Sequence, residues 1–123
     1  MTPLNPFQQG IQFLSENNFT AARELLMNVR TEGGEDAAAA ARFLAHIDRS
    51  ERRFSAAITT LLSSLKELGE DAASLAQLAE LYMAMGKGTD AIAAAERALA
   101  CEPDNAVTAL NLTIWRSNYC DEP

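Results

Sequence analysis

The sequence predicts an all-α fold of about seven helices that are arranged in repeated pairs. Hydrophobic residues make up 48% of the 123 residues, many of them Ala and Leu, and Pro occurs only four times. This composition favours helices over strands. Apolar residues recur at intervals of three and four between positions 75 and 82, and again between positions 91 and 99. The turn Gly86-Lys87-Gly88 separates these two segments, which predicts an antiparallel helix pair.

The same pattern of small residues occurs three times along the chain. Both in the first helix of each pair and in the second, the small residues are spaced by 35 and then by 34 positions. Such self-similarity indicates a repeat architecture. Small side chains at these places let two helix backbones approach closely where they cross. The aligned residues are Gly10, Ala45 and Ala79 in the first helices, and Ala22, Ala57 and Ala91 in the second helices.

Residues typical of helix ends and turns divide the chain into its predicted elements. Gly33-Gly34 and Gly69 stand between repeats, where glycine can adopt the left-handed conformation that ends a helix. Phe19 and Phe54 follow the turns inside the first two repeats, and we expect their rings to fill the junction between paired helices. We predict helices at 5–15, 19–31, 36–50, 54–68, 72–85, 88–101 and 105–118, which makes three pairs and one additional helix.

The third repeat carries the residues of a known family pattern, namely Ala79, Tyr82, Gly86, Ala91, Ala98 and Pro103. In these residues the chain resembles the tetratricopeptide repeat family, whose units of about 34 residues each form a helix-turn-helix. The resemblance implies a right-handed α-solenoid. It also implies one domain over residues 1–118, with repeats at about 3–36, 38–71 and 72–105, a capping helix at 105–118 and a tail at 119–123.

The first two repeats depart from the family pattern in informative places. In the second repeat, Asp48 stands where the family has an aromatic residue. In the first helix, Phe7 and Ile11 replace the Lys and Asn with which one subgroup of the family holds the acidic tails of heat-shock chaperones. That difference argues against heat-shock co-chaperone function. With Leu14, these two residues form an apolar row that either lines a groove or joins the core, and packing favours the core.

Charge and composition exclude several classes of partner. The formal net charge is −7, so we expect neither a nucleic acid nor an anionic membrane surface to bind. The N-terminal residues lack the basic and apolar regions of a secretion signal, which predicts a cytoplasmic protein. Cys101 and Cys120 flank the last predicted helix, too far apart for a disulfide unless the tail folds back, and two free thiols agree with a reducing compartment.

Few residues of the sequence point to enzymatic chemistry. His46 is the single histidine, and no phosphate-binding loop, nucleophile motif or set of metal-ligand spacings occurs. We therefore predict a protein that is not an enzyme and that needs no cofactor and no metal.

The resemblance to tetratricopeptide repeats implies a concave groove lined by the first helix of each repeat. On those helices, Arg42, His46 and Arg49 form a cationic row in the second repeat, and Glu80 and Met83 lie in the third. In the sharper hypothesis, Arg42 and Arg49 bind an acidic group of a partner, while apolar residues of the later helices hold its apolar side chains. In the simpler alternative, the charged residues form ion pairs between helices. The predicted apolar residues are Met83, Val107, Leu110 and Ile114.

The last predicted helix is apolar on more than one side. Val107, Leu110 and Ile114 share one side, whereas Leu112 and Trp115 lie on another together with an alanine. An exposed apolar surface of this kind marks an interaction site, and we predict Leu112 and Trp115 as a surface for self-association. In the alternative, the tail at 119–123 folds back and covers it.

These observations predict a protein–protein interaction module. Its groove would bind a peptide or an amphipathic helix of a partner protein, including one with acidic groups, as a scaffold or a dedicated chaperone. Small acidic proteins of this length also resemble the cytosolic chaperones of bacterial type III secretion, although fold does not determine function. The alternative is a structural module that forms homo-oligomers through its apolar terminal helix.

Overall fold

The computed structural model describes residues 3–119. They form seven helices, each of which begins and ends within one residue of its predicted bounds, and no strand occurs in this part of the chain. The helices are α1 (Pro6–Ser15), α2 (Phe19–Glu32), α3 (Ala37–Ser50), α4 (Phe54–Leu68), α5 (Ala72–Ala84), α6 (Gly88–Cys101) and α7 (Ala106–Tyr119). The all-α helical repeat predicted from the sequence is thereby confirmed. The tail predicted at 119–123 lies outside the described residues, apart from the helical backbone of Tyr119.

The chain divides into two compact units, with the boundary inside α4. The first unit extends to Thr60 and contains α1, α2, α3 and the beginning of α4. The second unit starts at Leu61 and contains the rest of α4 together with α5, α6 and α7. In the first unit α2 packs against α1 and α3, and in the second unit α6 packs against α5 and α7.

Each of the three turns inside a repeat has the same backbone conformation. One residue has a positive φ, and the backbone N–H of the next residue donates a hydrogen bond to the carbonyl oxygen five positions earlier. This is the arrangement of a Schellman-type helix end. The residues with positive φ are Asn17 (61°), Arg52 (62°) and Gly86 (75°). The hydrogen bonds run from Asn18 to Phe13 (2.8 Å), from Arg53 to Asp48 (2.7 Å) and from Lys87 to Tyr82 (2.9 Å). The spacings of 35 and 34 therefore hold in the backbone as well as in the sequence.

The close helix approach predicted for the first repeat occurs at Gly10. This residue is buried, and a Cβ atom placed on it would lie 3.0 Å from Cγ of Leu26 on α2. Leu26 belongs to a core cluster with Ala22, Val29, Ala40, Leu44 and Ile47. Phe7 and Leu14 pack against this cluster, as expected for a core role, and the ring of Phe7 lies 6.0 Å from that of Phe43.

The core of the second unit consists of leucines and alanines. Leu75, Leu78 and Leu81 of α5 are at most 1% exposed, and so are Ala91 and Ala95 of α6. The backbone N–H of Thr108 donates a hydrogen bond of 3.1 Å to Oδ1 of Asn105, which caps the beginning of α7. Leu112 of α7 is 3% exposed. The packing of α6 against both neighbours thus fixes which side of α7 is buried.

Candidate binding surfaces

In the first unit, the predicted cationic row lies along one side of α3. His46 and Arg49 are exposed and Arg42 is half-buried. Their spacing of four and then three residues places them on one face of the helix. Arg42 and Arg49 each interact with another group of the protein, so a partner's carboxylate would add to those interactions or compete with them.

A partly buried ion pair that the sequence analysis did not predict joins α2 to α3. Nη1 of Arg23 donates a hydrogen bond of 2.8 Å to Oδ1 of Asp48, and Nη2 of Arg23 donates another to Glu51. Asp48 is only 5% exposed. The hydrogen bond with Asp48 raises the pKa of Arg23, an effect that outweighs the lowering of this pKa by burial. The departure of Asp48 from the family's aromatic residue was the sequence signal for this pair.

In the second unit, a crevice opens between α5 and α7 above α6. Its floor consists of small side chains, and its walls include the exposed Val107, the half-buried Trp115 and the amide of Asn111. The carboxylate of Glu80 lies at the same crevice. The lining residues are Ala76, Ala79, Glu80, Ala95, Val107, Thr108, Asn111 and Trp115.

The structure separates the apolar residues of α7 into different environments. Val107, Leu110 and Ile114 are exposed to 69%, 61% and 47%. Leu112, predicted at a surface for self-association, is buried instead, because its side of α7 packs into the unit's core. Trp115 is half-buried and lines the crevice. The exposed apolar surface therefore lies on the opposite side of α7 from Leu112.

The predicted groove residues are thus distributed over several surfaces. Glu80 and Val107 share the crevice of the second unit, whereas Leu110, Ile114 and the half-buried Met83 do not line it. The sequence analysis missed the contribution of Asn111. The spacing of Val107, Asn111 and Trp115, four residues apart each time, could have indicated that they share one side of the helix.

A second hollow that the sequence analysis did not predict lies in the first unit. It is formed by the start of α1 and by the end of α2 with the loop that follows. Pro6, Phe7 and Val29 give it an apolar part, and three carboxylates border it. Its lining residues are Asn5, Pro6, Phe7, Val29, Glu32, Gly33, Glu35 and Asp36.

Metal-ligating side chains do not cluster in the described part of the chain: between residues 3 and 119, no group of three or more His, Cys, Asp or Glu could hold a metal ion. Cys101 is exposed, and Cys120 lies outside the described residues. Among the described helices, none has the length and apolar character that crossing a membrane requires.

Comparison with solved structures supports the fold, whereas comparison with family models and curated proteins gives no match. Among solved structures, the crystal structure of a tetratricopeptide repeat protein from Parabacteroides merdae ATCC 43184 is similar, with a TM-score of 0.79 and 16% sequence identity. The match covers 92% of this chain and 45% of that protein, so this chain spans less than half of that protein's length. The structural similarity, together with the repeated turns and helix pairs, shows that the chain has the tetratricopeptide repeat fold.

Proposed function

We propose that this protein is a protein–protein interaction module that binds a peptide or helical segment of a partner protein. The observation that carries the proposal is the crevice between α5 and α7, which combines an apolar wall with polar groups at its edge. Binding sites of this kind bury apolar side chains of the ligand and orient the ligand through a few polar contacts. The fold alone agrees with this role without determining it.

The crevice favours a small apolar side chain of the ligand, since its volume is about 50 Å³. The floor of the crevice consists of small side chains, those of Ala76, Ala79 and Ala95. An apolar side chain of the partner can therefore approach the helix backbones. Trp115 offers a large apolar surface, and Asn111 offers an amide that can both donate and accept hydrogen bonds with a peptide backbone. These groups together support recognition of an apolar residue within a segment that also presents polar backbone groups.

The cationic row on α3 is a second element of the proposal. Arg42, His46 and Arg49 would bind acidic groups of the partner, and Arg side chains suit carboxylates because they donate two parallel hydrogen bonds. Whether the protein acts as a scaffold or as a dedicated chaperone, including one of the type III secretion kind, stays a prediction that rests on size, charge and repeat number.

The proposal is tested by filling the crevice. A library of displayed peptides is selected against the wild-type protein, and the binding of the enriched peptides to two variants is then measured. Ala76→Leu places a larger side chain in the crevice and should weaken binding at least tenfold, since the ligand's apolar residue loses its place. Ala73→Leu makes the same change at an exposed position of the same helix, outside the crevice, and should leave binding unchanged.

Either of two outcomes would contradict the proposal. One is that no peptide is enriched over a non-binding control protein. The other is that the enriched peptides bind both variants equally well. Reversal of the charges with Arg42→Glu and Arg49→Glu tests the cationic row separately, because only peptides with acidic groups should then lose affinity.

Self-association through α7 is a second candidate function. It is favoured by the exposure of three apolar side chains on one side of this helix, namely Val107, Leu110 and Ile114.

A further inference from the structure

The hollow at the start of α1 combines an apolar floor with an acidic rim. Val29 of α2 is buried there, and the half-buried Phe7 and the exposed Pro6 of α1 add two further apolar groups. The volume of the hollow is about 180 Å³, compared with about 50 Å³ for the crevice of the second unit. A single water molecule needs roughly 10–15 Å³ on this measure, so the hollow has room for a long side chain.

The acidic rim consists of Glu32 at the end of α2 together with Glu35 and Asp36, which precede α3. Within residues 3–119, none of these three carboxylates forms an ion pair or accepts a hydrogen bond. Asp36 even occupies the N-cap position of α3 without capping it. The carboxylate of Asp48, by contrast, is engaged by Arg23. The described residues that line the hollow include no Lys, Arg or His, so its rim charges are available to a cationic ligand.

The apolar floor determines which kind of cation fits. A metal ion binds through oxygen ligands and gains nothing from apolar side chains beneath it. The side chains of lysine and arginine bury their methylene groups along apolar surface and keep the charged end at its edge. Their charged ends donate several hydrogen bonds, which are strongest when the acceptors are carboxylates. The pairing of floor and rim therefore matches a basic side chain.

We propose that this hollow binds a lysine or arginine side chain of a partner protein. The stem of the side chain lies on Phe7 and Val29, and its charged end donates hydrogen bonds to the carboxylates of the rim. All lining residues belong to the first unit, whereas those of the crevice belong to the second. The proposal thus goes beyond the peptide site in the crevice and does not rest on it.

The charges of the surrounding helices agree with a cationic ligand. The end of α2 contributes the negative end of its helix dipole, and the starts of α1 and α3 contribute positive ends. Each end is equivalent to roughly half an elementary charge, so the three full charges of the rim outweigh them. At longer range, the net charge of −7 attracts basic partners to the chain.

The test is a titration of the ¹⁵N-labelled full chain with blocked tripeptides, acetyl-Gly-X-Gly-amide, in which X is arginine, lysine, citrulline or leucine. Citrulline has the shape of arginine without its charge. The arginine and lysine peptides should shift the amide signals of Asn5, Phe7 and residues 29–36, with dissociation constants on the order of 1 mM, because one side chain makes few contacts. The citrulline and leucine peptides should bind at least about fivefold more weakly.

Two double variants separate the hollow from general attraction to an acidic chain. Glu32→Gln with Glu35→Gln should weaken binding of the arginine peptide at least about fivefold. Glu16→Gln with Glu24→Gln removes the same charge at exposed positions of the same unit, outside the hollow, and should change binding less than about twofold. Circular dichroism of each variant confirms that its helices are intact.

Three outcomes would overturn the proposal. The first is equal binding of the arginine and citrulline peptides. The second is a set of shifted signals that lies outside the hollow, and the third is an equal loss of binding in both double variants. Ala76→Leu, which fills the crevice, should leave binding of the arginine peptide unchanged, so failure at one site is distinguishable from failure at the other.

Discussion

At the scale of single residues, the ion pair between Arg23 and Asp48 shows how the structure accommodates a charge in a core position. The Asp48 side chain is 7% exposed and that of Arg23 is 28% exposed, so the carboxylate is largely removed from water while the guanidinium is partly hydrated. A buried carboxylate requires such a partner, because its desolvation would otherwise be strongly unfavourable. The pair thus replaces the apolar packing of the family's aromatic residue with a polar link between two helices.

We expect Arg23→Ala to reduce the free energy of unfolding by about 2–3 kcal/mol, since it leaves Asp48 buried and unpaired. Urea denaturation followed by circular dichroism measures the change. The double variant Arg23→Leu with Asp48→Leu should be more stable than the single variant, because it removes both charges. If Arg23→Ala were as stable as the wild type, the ion pair would not offset the unfavourable desolvation of the Asp48 carboxylate.

The turns inside the three repeats share one backbone conformation, at Asn17, Arg52 and Gly86. All three have positive φ, although a side chain in that conformation costs roughly 1–2 kcal/mol and only the third residue is glycine. The hydrogen bonds that end the preceding helix favour the conformation at each turn. The conformation of Arg52 therefore follows from its place in the repeat and not from its own preference.

At the scale of helices, close packing of small residues joins α1 to α2 and α5 to α6. Ala91 of α6 is 0% exposed where α6 packs against α5, whereas Ala93 of the same helix is exposed. Adding a larger side chain to a filled interior typically lowers the free energy of unfolding by about 1–3 kcal/mol. Because Ala and Leu have similar helix propensities, replacing Ala by Leu changes the packing and hardly the helix itself.

We therefore predict that Ala91→Leu lowers the free energy of unfolding by about 1–3 kcal/mol, as measured by chemical denaturation, because the added side chain has no space. Ala93→Leu is the matched control and should change stability by less than about 0.5 kcal/mol. Equal effects of the two substitutions would mean that the crossing of α5 and α6 is not tightly packed.

Helix α7 is distinctive among the elements because its two sides have opposite roles. Its inner side contributes Leu112 to the core and Trp115 to the crevice, while its outer side presents Val107, Leu110 and Ile114 to solvent. Helix α7 therefore contributes residues to the peptide site and to the surface proposed for self-association.

At the scale of the whole molecule, the net charge of −7 affects every association of the chain with itself. Salt screens the repulsion between two acidic copies, and the Debye length falls from about 30 Å at 0.01 M to about 8 Å at 0.15 M ionic strength. Association through the exposed apolar residues of α7 does not depend on charge pairs that salt could weaken.

Self-association through α7, the second candidate function, should consequently become several-fold stronger when the ionic strength is raised from about 0.01 M to about 0.15 M. Sedimentation equilibrium at both ionic strengths measures this change. An oligomer that dissociates as salt is added would instead indicate an interface built from ion pairs, and would contradict self-association through the apolar residues of α7.

The sequence by itself determined the bounds of the described helices and the pairing of α1 with α2 and of α5 with α6, because the apolar periodicity, the turn residues and the spacing of 34 to 35 are local or repeated signals. It also identified Val107, Leu110 and Ile114 as one side of a helix. Only the tertiary structure decided which side of α7 is buried, since Leu110 and Leu112 are chemically alike and differ in what packs against them. The same holds for Asp48 and Arg23, which lie 25 positions apart and become partners only when α2 packs against α3. Hydrophobic pattern specifies a helix and its apolar faces, but the choice among those faces depends on contacts between residues distant in the chain.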